Sequence, residues 1–301
     1  MKKITFILLL SISLFSYGQK LMGKVGEIEV QIIPHNFKSD SHNKPTKKKT
    51  NRRNRPHTKL YFDSNGDLLK KIGFGKYKNF DLRTTEYIKV YMYENKKLAQ
   101  SITYENYCRK NTQPYWRTLY SYDKNGQLMN DSIFYYETDS LFLETTYEYD
   151  LNSNMIKSIF KPTHYYQRDF DSKNRITSLK QIYDSKLRWE WKYKYLKNQR
   201  IGIFQTHYND GRDYTKKELK TYNEIGLLIE TEEKNISSDG SKQKVKFSYN
   251  KNGILSKIER YETYGGKYVC VSYSDIKVKS KTDLNLNIAQ KINEQIEIEI
   301  E

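Results

Sequence analysis

Two cysteines in 301 residues exclude a small fold stapled by several disulfides, and no Cys-x-x-Cys redox or zinc pair occurs. Cys108 and Cys270 lie far apart in sequence. They are compatible with one bridge in an oxidising compartment or with two thiols. Long apolar runs are also missing. Beyond Phe15 no stretch reaches the ~20 apolar residues that span a bilayer as a helix. Catalytic signatures are absent as well: there is no His-Glu-x-x-His run, no phosphate loop and no Gly-x-Ser-x-Gly elbow. Of the five histidines, His35, His42 and His57 lie in or beside a basic stretch, and His164 and His207 lie between repeats. This reads as scattered loop histidines rather than a metal set. No catalytic residue, cofactor or metal is expected. The mean hydropathy of −0.90 leaves little Leu or Val to build a core.

What is present instead is tyrosine. The chain has 28 Tyr against 12 Phe, and a Tyr ring suits a half-buried strand face because its tip is polar. The stretch WEWKYKY (189–195) places Trp189, Trp191, Tyr193 and Tyr195 at alternate positions, with Glu190, Lys192 and Lys194 between them. Successive side chains of a strand point to opposite faces, so this is a strand with one aromatic and one charged face.

The first residues read as a secretory signal. Lys2 and Lys3 precede an apolar run from Ile4 to Phe15, and Ser16-Tyr17-Gly18 offers a small-residue cleavage site before Gln19. No cysteine near the site suggests a lipid anchor, so the mature chain is expected in the periplasm or outside the cell. The formal charge is +17, and loss of residues 1–18 with their two lysines leaves 17 − 2 = +15. An exported chain this basic is drawn to anionic envelope polymers; the compartment argues against nucleic acid. Nine of the cations lie between Lys38 and Lys59, opposed only by Asp40, and read as a looped basic arm.

An internal repeat runs through the rest. LYFDSNGDLL (60–69), LYSYDKNGQLM (119–129), KTYNEIGLLI (220–229) and FSYNKNGILS (247–256) share one pattern. YMYENKKLAQ (91–100), YEYDLNSNMI (147–156), RDFDSKNRIT (168–177) and KYKYLKNQRI (192–201) are weaker copies. Each has an aromatic anchor: Phe62, Tyr93, Tyr122, Tyr149, Phe170, Tyr195, Tyr222 and Tyr249. In all but the Tyr93 copy an apolar residue follows six positions later: Leu68, Leu128, Met155, Ile176, Ile201, Leu228 or Leu255. Asp63-Ser64-Asn65-Gly66 suits a type I turn followed by a left-handed residue, which closes a three-residue hairpin loop and pairs Phe62 with Leu68. Gly126, Gly226 and Gly253 hold the place of Gly66; Asn174, Ser153 and Gln199 substitute for it elsewhere. The recurring turn residues Asp63, Asp123, Asp150 and Asp171 are expected to cap their own backbone. In the Tyr93 copy the apolar residue, Leu98, comes after five positions. A two-residue loop, Asn95-Lys96, would preserve the pair.

The [YF]-D-x-x-G-x-[LIM] core at 62–68 and 122–128, with variants at 222–228 and 249–255, resembles the YD repeat of Rhs-type proteins. The resemblance covers roughly residues 60–275. It implies tandem hairpins that spiral into a β-sheet shell. Large Rhs proteins also carry many more repeats, a core-associated processing region and a toxin tip. None of those features is visible here, so the resemblance bears on fold.

The expected architecture is all-β, a curved antiparallel meander of about eight repeated hairpins with the aromatic face inward as a shared core. Its parts are a signal peptide (1–18), an N-terminal strand segment (19–37), a basic linker (38–59), the hairpin repeat domain (60–275) and a C-terminal tail (276–301). In the tail, Ile288, Ile292, Ile296 and Ile300 fit a helix, while Ile296, Ile298 and Ile300 fit a strand. The function expected is an exported non-catalytic repeat scaffold that binds a protein or an anionic polymer at the bacterial cell envelope. An immunity-type protein that neutralises a toxin, and a hydrolase with a site assembled across repeats, are the two other readings.

Overall fold

A computed structural model describes residues 27–39, 45–49, 58–76, 83–105, 113–207, 214–237, 241–264 and 266–298. The segment read as a signal peptide lies outside them, as do Cys108, His42 and His57. In chain order the strands are β1 (Ile28–Ser39), β2 (Pro45–Lys49), β3 (Thr58–Phe62), β4 (Leu68–Lys76), β5 (Arg83–Glu94), β6 (Lys97–Glu105), β7 (Gln113–Tyr122), β8 (Leu128–Tyr135), β9 (Leu141–Tyr149) and β10 (Met155–Lys161). They continue as β11 (His164–Phe170), β12 (Ile176–Tyr183), β13 (Lys186–Tyr195), β14 (Gln199–Thr206), β15 (Thr215–Tyr222), β16 (Leu228–Asn235), β17 (Lys242–Tyr249), β18 (Leu255–Tyr264) and β19 (Lys267–Ser280). One helix, α1 (Leu286–Ile298), follows.

The eight repeats are the hairpins β3–β4, β5–β6 and so on to β17–β18, all antiparallel. Six turns are built alike. The side-chain Oδ1 of Asp63, Asp123, Asp150, Asp171, Asn223 and Asn250 accepts the N–H groups two and four residues on, at 2.8–3.2 Å. Gly66, Gly126, Gly226 and Gly253 then take φ of 75 to 88°, and Ser153 and Asn174 take 65 and 57° in the same place. The shorter Tyr93 turn puts Asn95 and Lys96 at φ 49 and 63°, pairing Glu94 with Lys97 and Tyr93 with Leu98.

In seven hairpins the anchor pair is followed at once by a register shift. Phe62 faces Leu68, Tyr61 faces Lys70, and Leu69 is skipped. The same bulge recurs beside Tyr93, Tyr122, Tyr149, Phe170, Tyr222 and Tyr249. The eighth hairpin differs from expectation. Tyr195 faces Arg200, not Ile201, because Leu196 and Gln199 bond to each other and shorten the loop. Gln199 therefore starts β14 instead of turning the chain.

The bulge carbonyls have a recurrent partner. The Tyr93 hydroxyl donates to Leu68 O at 3.1 Å, Tyr122 to Leu98 O at 2.9 Å, and Tyr149 to Leu128 O at 2.9 Å. Tyr195 donates to Ile176 O at 2.9 Å and Tyr249 to Leu228 O at 2.7 Å. Each of these five anchor tyrosines thus ties its hairpin to the one before it.

The sheet expected as a curved antiparallel meander closes into a barrel. β1 pairs with β19 on one side and with β3 on the other, so that Val30 sits between Val278 and Leu60 and Ile32 between Ile276 and Thr58. β1 and β3–β19 thereby form an 18-stranded ring. The basic stretch is not all loop: Pro45–Lys49 forms β2, which pairs with the end of β1 at Phe37 and Ser39.

Inward lie Ile28, Val30, Ile32, Leu60 and Phe62, together with α1, in one buried cluster. The tail is helical, with Asn285 as N-cap accepting the Ile288 N–H at 3.0 Å. Ile288, Ala289, Ile292 and Ile296 form its buried stripe. Polar bonds fix it across the turns. Asn293 accepts the Leu255 N–H and donates to Gly253 O, both at 2.8 Å, and Lys291 Nζ lies 2.7 Å from Asp67 Oδ1. The helix covers the end of the barrel where the repeat turns gather.

Outward lie the alternating charges. Lys244 bridges Glu230 at 3.0 Å and Glu232 at 3.5 Å, and Lys257 bridges Glu259 at 2.6 Å. A smaller apolar cluster, Val90, Ile102 and Tyr104 with Ile88, Met92 and Tyr136, interrupts this face on β5 and β6.

Two predictions follow from the tyrosine links. Tyr122→Phe and Tyr249→Phe should each cost about 1 kcal/mol in urea unfolding, roughly additively because the sites are distant, while the exposed Tyr183→Phe should change little. Two neutral replacements would show that the hydroxyl links do not hold the hairpins together.

Burial, aided by Asp67 and Asp63, raises the Tyr93 phenol to about 12. Burial and then Asp131 raise Tyr147 further. A phenol whose folded value lies above its unfolded value of about 10 stabilises the fold below that pH and loses this contribution as pH rises through the folded value. Phenolate absorbance and circular dichroism should therefore change together between pH ~10 and ~12. Ionisation of all tyrosines near the ordinary value with the fold intact would contradict this.

Candidate binding site in the barrel lumen

A ring of this strand number leaves a lumen that side chains do not fill. The face that carries Phe62 and Val30 lines it, and tracing the registers round the ring places Trp189, Trp191, Tyr193 and Tyr195 of β13 on that face. These four are half-buried, so the stripe expected as closed core is the wall of a cavity. Glu190, expected on the wet side, is the most buried residue of β13 at 9% exposure. Three outer-face neighbours account for it: Lys192 at 3.1 Å, the Ser178 hydroxyl at 3.2 Å and Lys180 at 3.8 Å.

Gly202 on β14 lies opposite Tyr193 and leaves space for two rings. A Cβ there would stand 2.9 Å from the Trp191 ring and 3.2 Å from the Tyr193 ring. The two rings are nearly parallel, at 4°, with centroids 5.8 Å apart. Cations reach over them. Lys216 Nζ lies 5.2 Å from the Trp191 centroid, and the Arg200 guanidinium 4.8 Å from that of Tyr193.

Charge enters the lumen on β15. Lys216, Glu218 and Lys220 alternate toward Tyr222 and occupy the inner positions that other repeats fill with aromatics. Glu218 sits directly opposite Glu233 of β16. Like charges facing across strands repel, and here cations separate their fields. Arg200 lies 3.4 Å and Lys220 3.5 Å from Glu218, and Lys216 lies 3.2 Å from Glu233. Burial pulls Arg200 down, but Tyr222 and Glu218 outweigh it and hold the guanidinium above its ordinary value. Across the lumen, burial and then Lys71 push Lys89 below the usual lysine value, with Asp131 opposing.

Trp191, Tyr193, Arg200, Lys216, Glu218, Lys220 and Glu233 border a cavity of about 440 Å³, within the ~300–1,000 Å³ of small-ligand sites. Val245, Phe247 and Arg260 on β17 and β18 also line it. A second cavity of about 430 Å³ shares Arg200, Lys220 and Leu228 with it and reaches Gln290, Asn293 and Glu294 of α1. The helix thus floors the second cavity at the turn end of the barrel, and the two cavities together make a cup.

The sequence-predicted residues occupy the frame. The anchors sit on the inner face beside the turns, and the four turn glycines bend the hairpins. Cys270 forms no disulfide among the described residues, which do not include Cys108, and its Sγ lies 3.5 Å from Ser272 O. Two histidines taken as loop residues lie in strands: His35 in β1 stacks on Tyr273, and His164 in β11 stacks on Tyr183. Among the described residues no group of three or more His, Cys, Asp or Glu is placed to hold a metal ion. The luminal set of Arg200, Lys216, Glu218, Lys220 and Glu233 was missed. Its signal was the charge at the anchor-parity positions 216, 218 and 220.

No family model and no curated protein matches the sequence. Among solved structures, a porin-like protein from Bacteroides uniformis is similar at 9% identity, over 84% of this chain and 96% of that one, with a TM-score of 0.42. The TcdB2-TccC3 structure without its hypervariable C-terminal region is similar at 11% identity over 71% of this chain, with a TM-score of 0.38. This chain spans 12% of that protein's length. Both likenesses are too distant to carry an argument, and the fold rests on the registers above.

Gly202→Ala should destabilise the protein by about 1–3 kcal/mol and shift tryptophan emission, because Trp191 must move. Unchanged emission and stability would mean that the rings do not lie against Gly202.

Proposed function

We propose that the chain is an exported, non-catalytic repeat barrel that binds a partner at the bacterial cell envelope through its lumen. The observation that carries this reading is the cup itself: a closed wall of half-exposed rings and cations over a helical floor. The apolar segment Ile4–Phe15 with its Ser16-Tyr17-Gly18 site supports export. The likeness of the hairpins to YD repeats supports a shell that encloses something. The outer face supports a place in water, because charged residues on a lipid-facing strand surface are destabilising. Glu218 and Glu233 stand side by side as a hydrolase pair would, but each is engaged by a cation. They serve the proposed role as hydrogen-bond acceptors.

The test is co-sedimentation of the mature protein with isolated envelope polymer, alongside N-terminal sequencing of the native chain. Wild type should begin at Gln19 and sediment with the polymer. Trp191→Ala should lose retention at a stability cost below the ~3–5 kcal/mol of a fully buried Trp, while Lys192→Ala on the outer face should keep it. An intact Met1 in the cytosol, or retention that depends on Lys192 and not on Trp191, would contradict the proposal.

A further inference from the structure

The luminal cavity has a chemistry more specific than a basic surface. We infer that it takes a carboxylated sugar chain, an oligo-uronide in chemical class; the inference rests on the lumen being the binding site. Charge is the first ground. Arg200, Lys216, Lys220 and Arg260 border the cavity against Glu218 and Glu233, a balance of 4 − 2 = +2. Two of these cations are positioned partly by rings, Lys216 by Trp191 and Arg200 by Tyr193. A ring quadrupole orients a cation without neutralising it, so the field that an anion meets is preserved.

The rings and the carboxylates decide between anions. Trp191 on β13 and Phe247 on β17, four strands apart along the wall, offer the cavity apolar surface, suited to the C–H faces of a pyranose. Glu218 and Glu233 accept hydrogen bonds and donate none when ionised. A polyphosphate brings no donors and meets two carboxylates with repulsion. A uronide brings hydroxyls to those carboxylates and its own carboxylate to Arg260 and Lys216. The second cavity borders the first, sharing Arg200, Lys220 and Leu228 with it, and the two side by side give room for a chain rather than a single ring.

The experiment is titration calorimetry of the mature, full-length protein with three probes: tetragalacturonate, a neutral cello-oligosaccharide of the same length, and inorganic polyphosphate. Tetragalacturonate should bind, and salt should weaken it. Lys216→Met and Arg260→Met should each weaken it about tenfold or more, with folding checked by circular dichroism, and the outer-face Lys192→Met should leave it unchanged. Equal binding of the neutral sugar would overturn the charge argument. Equal or tighter binding of polyphosphate would overturn the sugar. If no probe binds while envelope retention still needs Trp191, the ligand class falls and the luminal reading stands; if retention does not need Trp191 either, both fall.

Discussion

The bond from an anchor tyrosine to the carbonyl beside the preceding bulge organises this molecule. A bulge interrupts the ladder between the two strands of a hairpin, and a backbone carbonyl at the edge of the lumen needs a donor. The next hairpin supplies one as Tyr93, Tyr122, Tyr149, Tyr195 or Tyr249. The ring provides apolar bulk on the inner face, and the hydroxyl reaches one hairpin back. Phenylalanine does only the first, which is why a chain with so little Leu and Val is rich in Tyr. It also explains how hairpins with anchors 21 to 31 residues apart stay aligned. Most of the variable length lies away from the anchored end, where six of the eight turns keep one geometry. Phe62 and Phe170 are anchors without a hydroxyl, and Phe62 opens the series, with no repeat hairpin before it to reach.

Closure follows from β1. A meander of hairpins leaves two edge strands, and unpaired edges are a liability. The alternation of Ile28, Val30 and Ile32 gives β1 an inner face that matches both β3 and β19, so one strand satisfies both edges. Parity then fixes the rest: the anchors and most aromatics inside and most Lys and Glu outside, with Lys89, Lys216, Glu218, Lys220 and Glu233 among the inner charges. The helix completes the design by covering the turn end, where its isoleucines meet the apolar end of the barrel and Asn293 satisfies the β17–β18 turn.

Much of this frame was legible in the sequence, because its causes are local. Asp63 capping its own turn, Gly66 left-handed, Phe62 facing Leu68 and the shortened Tyr93 loop all depend on residues within one hairpin. What was not legible depends on distant partners. That β1 pairs on both sides, with the first and last strands of the meander, leaves no mark within its own twelve residues. The tail's isoleucines fit two periods, and only the surface beneath Ile288, Ile292 and Ile296 selects the helix. Arg200 replaced Ile201 as the partner of Tyr195 because a turn without Gly found a shorter loop. Glu190 looked solvated, and cross-strand neighbours on β12 bury it. The luminal charges looked like surface charge until parity placed them inside.

The closed ring is the claim on which the lumen and its chemistry depend, and amide hydrogen exchange along β1 tests it most directly. A strand flanked on both sides has successive N–H groups bonded alternately to its two neighbours, whereas an edge strand leaves every second one to solvent. The account predicts unbroken protection from Ile28 through Ile32, as slow as that of the central strands. Fast exchange at every second residue of this stretch would mean that the sheet is open and the cup does not exist.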